Sequence, residues 1–278
     1  ILSAATTGTA ISITGTSLSS APAPGRALYV GLAGLTVNAS AGGNVSITGT
    51  QTGTTATNPG ALYFGGSTDI LANGGNVTVN GGVKGIYWTG TINLGALAGA
   101  TATTGNVTVV GDSLNGTPTV LTKTTGAVVF ESSSASFTST FSTTSLTLAG
   151  PPSSLRIGKT GNTSGVTISG GSIAVAGPVT INSAATTVSS SITTTTSGGT
   201  ISIPATGAVS IGANLTASNS IAITGTSVTG TTSNMQASGD NGISVTATAG
   251  AVTIGGTLAV TTSTAGKIWL KATTNVIT

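Results

Sequence analysis

Four side chains, Asp69, Asp112, Glu131 and Asp240, are the whole supply of carboxylates in a chain of 278 residues that has no histidine and no cysteine. Acid–base work by paired carboxylates needs two of them facing one substrate. These four are separated by 43, 19 and 109 residues. Only Asp112 and Glu131 are spaced so that a repeat of about 20 residues would set them side by side on one face. The expectation is that all four are isolated surface or turn residues, since a catalytic pair also needs a cleft and tuned acidities. Without histidine there is no Ser-His-Asp triad and no imidazole ligand for zinc. Without cysteine there is no disulfide and no thiolate metal site.

Two glycine-rich segments imitate binding loops. Gly158-Lys159-Thr160 resembles the end of a phosphate-binding P-loop, but that motif needs a further glycine where this chain has Ser153, and a helix where Val166 and Ile168 read as strand. Gly65-Gly66-Ser67-Thr68-Asp69-Ile70-Leu71 has the texture of a calcium-binding nonapeptide, yet it occurs once, and such sites need stacked copies. A turn with a solvated Asp69 is the better reading. No catalytic, cofactor-binding or metal-binding residue is therefore assigned, and the chain is read as not an enzyme, with no cofactor.

The aromatic residues are more suggestive. Tyr29, Tyr63, Tyr87 and Trp88 fall at similar places in successive repeats. They are expected to stack as a column, packed inside in preference to exposed as a carbohydrate-binding strip, because aromatics bury large areas. Asn-x-Ser/Thr occurs at Asn38, Asn44, Asn76, Asn106, Asn115, Asn162 and Asn214. In a chain so rich in Ser and Thr these read as turn residues that tolerate left-handed backbone, with stacked Asn ladders as a further expectation, rather than as glycosylation signals.

The elements that must carry these residues are strands. Charged residues are 4% and aromatic residues 3%, Gly numbers 43, and the mean hydropathy is +0.42. That hydropathy argues against ordinary disorder, and the core must be built from Val, Ile, Leu and Ala. Lys84, Lys123, Lys159 and Lys267 are scattered, whereas nucleic-acid binding needs a dense basic patch. No stretch approaches the length of about 18 apolar residues that spans a membrane.

Internal repeats set the architecture. Residues 27–47 read ALYVGLAGLTVNASAGGNVSI and residues 61–79 read ALYFGGSTDILANGGNVTV. A degenerate third copy runs from GIYW at 85–88 to GNVTV at 105–109, so Val45, Val77 and Val107 are spaced by 32 and 30 residues. Further on, ISI at Ile201, IAI at Ile221, ISV at Ile243 and IWL at Ile268 follow at steps of 20, 22 and 25. AVSI at 208–211 and AVTI at 251–254 lie between them. Each segment alternates apolar with Ser, Thr or Ala, and Gly, Asn or Ser-Gly separates them, as strands and turns require. The pattern predicts an all-β solenoid of coils about 20–30 residues long. Val45, Ile47, Val77, Val79, Val107, Val109, Ile201, Ile203, Ile221 and Ile223 should point into its core. Two solenoid blocks, 1–130 and 166–278, flank an irregular loop or seam at 131–165, where Pro151-Pro152 interrupts the rhythm. TTVSSSITTTTSGGT at 186–200 is a further patch of weak pattern.

GGNVSI, GGNVTV and TGNVTV resemble the repeats of filamentous haemagglutinin-type, two-partner-secreted adhesins. The resemblance covers most of the chain as a texture. It implies a right-handed parallel β-helix at the bacterial surface or outside the cell, used for attachment or biofilm cohesion, and no catalytic residues. The expected function is thus an extracellular structural or adhesive fibre protein, with surface carbohydrate as a partner. No cap is recognisable at either end, so the edges are expected to meet more of a longer chain or a head-to-tail copy of itself. A carbohydrate-active β-helix enzyme and an ice-binding β-solenoid are the alternatives. With so few charges and no histidine, no side chain has its ordinary acidity between about pH 5 and 8, and ion pairs contribute little. The melting temperature should therefore change by no more than a few degrees between pH 5 and 9, or on adding 1 M NaCl; a thermal melt followed by circular dichroism checks this.

Overall fold

A computed structural model describes residues 1–18, 26–31, 34–52, 60–116, 119–261 and 265–277. The chain is a parallel β-solenoid. Among the described residues, the single helical element is the three-residue 3-10 turn Gly82–Lys84. The short runs of Val, Ile and Thr form strands because alternate side chains can be buried on one face while every backbone group pairs with the coil before and after it.

Two compact units divide the chain. The first comprises residues 1–139 and 145–152, the second 140–144 and 153–278. In the first unit, sheet I stacks Leu2–Ser3, Leu35–Ala39, Thr68–Ala72, Thr91–Gly95, Thr119–Lys123 and Leu146–Ala149. Sheet II stacks Thr9–Ser17, Asn44–Gln51, Val77–Asn80, Val107–Val110 and Ala127–Glu131. Sheet III stacks Leu28–Val30, Leu62–Phe64, Ile86–Trp88 and Leu114–Gly116. The chain visits the three sheets in turn, one strand each, so three strands make a coil.

The second unit repeats the scheme with shorter coils. Sheet IV holds Ser154–Ile157, Val179–Ile181, Thr200–Pro204, Ser220–Gly225, Ile243–Ala247 and Ile268–Lys271. Sheet V holds Phe141–Ser142, Val166–Ile168, Thr186–Val188, Val209–Ile211, Val228–Gly230, Val252–Ile254 and Val276–Ile277. Sheet VI holds Ile173–Val175, Ile192–Thr194, Leu215–Ala217, Met235–Ala237 and Leu258–Val260. The weakly patterned 186–200 patch keeps this register: Thr186 pairs with Val209 and Ile192 with Leu215. The 131–165 stretch is not a loop throughout, since it contains Phe141–Ser142, Leu146–Ala149 and Ser154–Ile157. The alternation of residues between the two units falls within it.

Register follows the repeats. Val45 pairs with Val77, and Val77 with Val107. Ile201 pairs with Ile221, Ile221 with Ile243, and Ile243 with Ile268. Val45, Ile47, Val77, Val79, Val107 and Val109 are buried in the first unit, and Ile201, Ile203, Ile221 and Ile223 in the second. Like stacks on like, which lets β-branched side chains nest in repeating layers.

The GNV motif has a specific physical basis. Asn44 Oδ1 accepts the Asn76 backbone N–H at 2.8 Å, Asn76 Oδ1 accepts that of Asn106 at 2.8 Å, and Asn106 Oδ1 accepts that of Ala127 at 2.8 Å. The second unit builds the same ladder from Asn214 Oδ1 to the Asn234 N–H at 2.9 Å and from Asn234 Oδ1 to the Thr257 N–H at 3.0 Å. The asparagines are thus selected for a side-chain acceptor one coil long. They do not exploit left-handed backbone, because among the described residues only glycines have positive φ. The preceding glycines answer to clearance. A Cβ on Gly75 would strike the Gly43 carbonyl, one on Gly105 the Gly75 carbonyl, and one on Gly126 the Gly105 carbonyl.

Buried hydroxyls and amides close the remaining corners. Thr124 Oγ1 donates to the Thr103 carbonyl at 3.1 Å and accepts the Gly126 N–H at 2.8 Å. Asn182 Nδ2 donates to the Gly158 carbonyl at 2.9 Å, and Asn162 Nδ2 to the Asn182 carbonyl at 2.9 Å. Among the described residues, only Gln51 Oε1 and Thr122 Oγ1 are buried side-chain polar atoms without a partner. Asn76→Ala removes the acceptor for the solvent-accessible Asn106 N–H and should cost about 0.5–1.5 kcal/mol, whereas Asn76→Asp, which keeps an acceptor, should cost less. Ile203→Ala should cost about 3 kcal/mol or more from lost burial and a cavity. Denaturant midpoints of the three variants check both values.

Candidate functional site

The tyrosines of sheet III form the most distinctive surface feature. Strands Leu28–Val30, Leu62–Phe64 and Ile86–Trp88 each run apolar, tyrosine, apolar. Pleat alternation sends the central residue outward and its neighbours inward. Tyr29 pairs with Tyr63 and Tyr63 with Tyr87. Their ring centroids are 4.9 Å and 5.5 Å apart, with planes inclined by 15° and 13°. The Arg26 guanidinium carbon lies 3.8 Å from the Tyr63 ring centroid and 5.0 Å from that of Tyr29. Tyr29 is 58% exposed, and Tyr63 and Tyr87 are half-buried.

Trp88 does not belong to this column. It follows Tyr87 by one residue, so it faces the core, 5% exposed, in register with Phe64 and Val30. Glycines make room for the outer rings. A Cβ on Gly31 or Gly65 would meet Cε1 of Tyr29 or Tyr63, respectively. The column is thus outside rather than packed within, and the rings cover one another's faces. Their edges and hydroxyls remain for solvent or a ligand. The sequence signal for this split was the odd–even parity of the IYW triplet, which assigns adjacent aromatics to opposite faces.

The carboxylates occupy separate roles. Asp69, on sheet I, accepts from Asn93 Nδ2 at 2.7 Å and from Thr36 Oγ1 at 3.3 Å, making a polar ladder across three coils. Asp112 is buried, and its Oδ1 accepts the Ser134 backbone N–H at 2.7 Å. Glu131 ends its strand opposite Val110, so it is not in register with Asp112. Asp240 lies in the turn before Ile243–Ala247 of the second unit. Among the described residues, no three His, Cys, Asp or Glu side chains group as metal ligands. Gly158-Lys159-Thr160 precedes a strand, Val166–Ile168, and the Gly158 carbonyl is held by Asn182.

Sheet V carries a hydroxyl column. Ser142, Thr167, Thr187, Ser210, Thr229 and Thr253 pair in succession on its outward face. Two residues along each strand the chain has Thr144, Ser169 and Ser189, then Gly212, Thr231 and Gly255, so a second column is broken. No helix among the described residues is long and apolar enough to cross a membrane. No protein-family model matches the chain, and no curated protein or solved structure matches it either.

The opposite facing of the two kinds of aromatic has a direct spectroscopic consequence. Trp269, the other tryptophan, is 62% exposed. The variant Trp269→Phe leaves Trp88 as the emitter, and its fluorescence should be blue-shifted and resist acrylamide. In the parent chain a fraction of the emission should be quenched readily. Equal quenching in both proteins would place Trp88 at the surface.

Proposed function

We propose that this chain is a structural or adhesive solenoid that works outside the cell or at its surface. The observation that carries the reading is the outward-facing chemistry. It consists of repeated ladders of Ser, Thr, Asn and Tyr in register, whereas Asp69 and Asp112 are engaged in ladder and backbone contacts. A surface that repeats every coil suits many weak contacts along an extended partner, because linked contacts raise avidity without any one being strong. The GNV repeats add the resemblance to filamentous haemagglutinin-type adhesins, and association with further copies of the chain is part of the same proposal.

An ice-binding reading draws on the hydroxyl column of sheet V, and the broken second column weighs against it. A carbohydrate-active enzyme would need carboxylates open to a substrate, and the burial of Asp112 with its Oδ1 on the Ser134 N–H weighs against that. Beads coated with the protein should adhere to polysaccharide-coated surfaces under flow more firmly than albumin-coated beads, with no release of reducing ends and no thermal hysteresis. Adhesion no better than albumin would overturn the adhesive reading. Release of reducing ends would establish the enzyme, and thermal hysteresis the ice binder.

A further inference from the structure

The tyrosine column has a charged border. Leu28, Leu62 and Ile86 are in register, and the alignment extends one residue earlier, where the Ala27 N–H donates to the Ala61 carbonyl and the Ala61 N–H to the Gly85 carbonyl. One residue earlier again stand Arg26, Gly60 and Lys84. The two cations therefore occupy equivalent places in coils two apart, about 9–10 Å along the stacking direction. The strands of sheet III contain no acid. Asp112, at the same place one coil further, is buried and accepts from the Ser134 backbone N–H.

Lys84 is presented by a braced turn. The Gly82 N–H donates to Asn80 Oδ1 at 2.8 Å, and the Gly85 N–H closes the turn on the Gly81 carbonyl at 2.9 Å. Gly82 and Gly85 both have positive φ, at 57° and 76°. The turn thereby holds Lys84 beside a concave recess of about 550 Å³ that Asn80 and Val83 also line.

We propose that this face of the first unit docks a linear polyuronate, a polysaccharide that carries a carboxylate on each sugar. Three features point to that chemistry. The stacked rings offer phenolic edges instead of open faces, so a neutral glycan that binds by stacking on aromatic faces gains little here. Edge hydroxyls recur once per coil, which supplies hydrogen-bonding groups at a regular step along an extended chain. Arg26 and Lys84 supply two positive charges on one border, and the Arg26 guanidinium, laid over Tyr63, keeps its in-plane N–H donors for a carboxylate. The proposal rests on the adhesive reading in taking a polymer as the partner, and it assigns that partner a chemical class and a site.

Titration of the full chain with polygalacturonate, its methyl ester and dextran sulfate at low salt tests it by calorimetry. Polygalacturonate should bind saturably, and the methyl ester at least about tenfold more weakly, because the ion pairs are lost. Arg26→Gln with Lys84→Gln should weaken polygalacturonate binding by about tenfold, and Tyr63→Phe, which keeps the stack, by about threefold. Circular dichroism establishes that each variant folds, and the methyl-ester comparison needs no variant. No saturable binding, equal binding of the methyl ester, or dextran sulfate binding as tightly as polygalacturonate would overturn the proposal. Binding without bead adhesion would remove the adhesive reading and keep the site. Adhesion without polygalacturonate binding would do the reverse.

Discussion

Everything in this molecule depends on one operation, the stacking of a coil on the coil before it through parallel backbone hydrogen bonds. The operation fixes the spacing between equivalent residues and thereby decides which side chains fit. A strand accepts it readily, but a corner does not, because there the backbone turns and its N–H and C=O groups leave the ladder. The Asn44–Asn76–Asn106 series restores the missing bonds with side-chain amides aimed one coil along. The Gly75–Gly105–Gly126 series keeps the corners thin enough to approach. Both are needed at once. A side chain at the glycine would push the coils apart, and loss of the amide acceptor would leave the corner N–H to water.

Stacking like on like also explains the composition. A column of Val, Ile or Leu fills the interior with equivalent layers, so large aromatics are needed at few places. Two sets stand in column, Phe64 and Trp88 inside and Tyr29, Tyr63 and Tyr87 outside, whereas Phe130 pairs with Val109 and Phe141 with Val166. Charges stack poorly, because identical charges in register repel at strand spacing. A low charge content is what a laddered surface tolerates, and it leaves each remaining charge with greater weight. Arg26 avoids the conflict by lying over a tyrosine ring, and Gly60 separates its position from that of Lys84.

Much of this was legible in the sequence. The repeat spacings of 32 and 30 residues, and of 20, 22 and 25, are the register shifts of sheets II and IV. The alternation of apolar and polar residues marked the buried positions. The role of Asn was harder to read, because a turn asparagine and a ladder asparagine look the same in one dimension. Only the coil above shows which N–H its amide reaches. The strands at Phe141–Ser142 and Leu146–Ala149 were obscured by a serine-rich stretch whose apolar positions are few. At the candidate site, the tyrosine periodicity was visible. The inward turn of Trp88 and the cover that Arg26 gives Tyr63 follow from pleat parity and from a side chain reaching into the next coil, which repeat spacing does not encode.

Residues one repeat apart are neighbours in register. The chain has no cysteine, so pairs can be introduced without background. Thr187→Cys with Ser210→Cys places thiols at partners in adjacent strands of sheet V, within the usual range of Cα separations for a disulfide. Thr187→Cys with Thr229→Cys places them two strands apart. Under mild oxidation the first protein should form an intramolecular disulfide rapidly and the second little, read by gel mobility after thiol blocking. Equal cross-linking of the two pairs, or none in the first, would contradict that register.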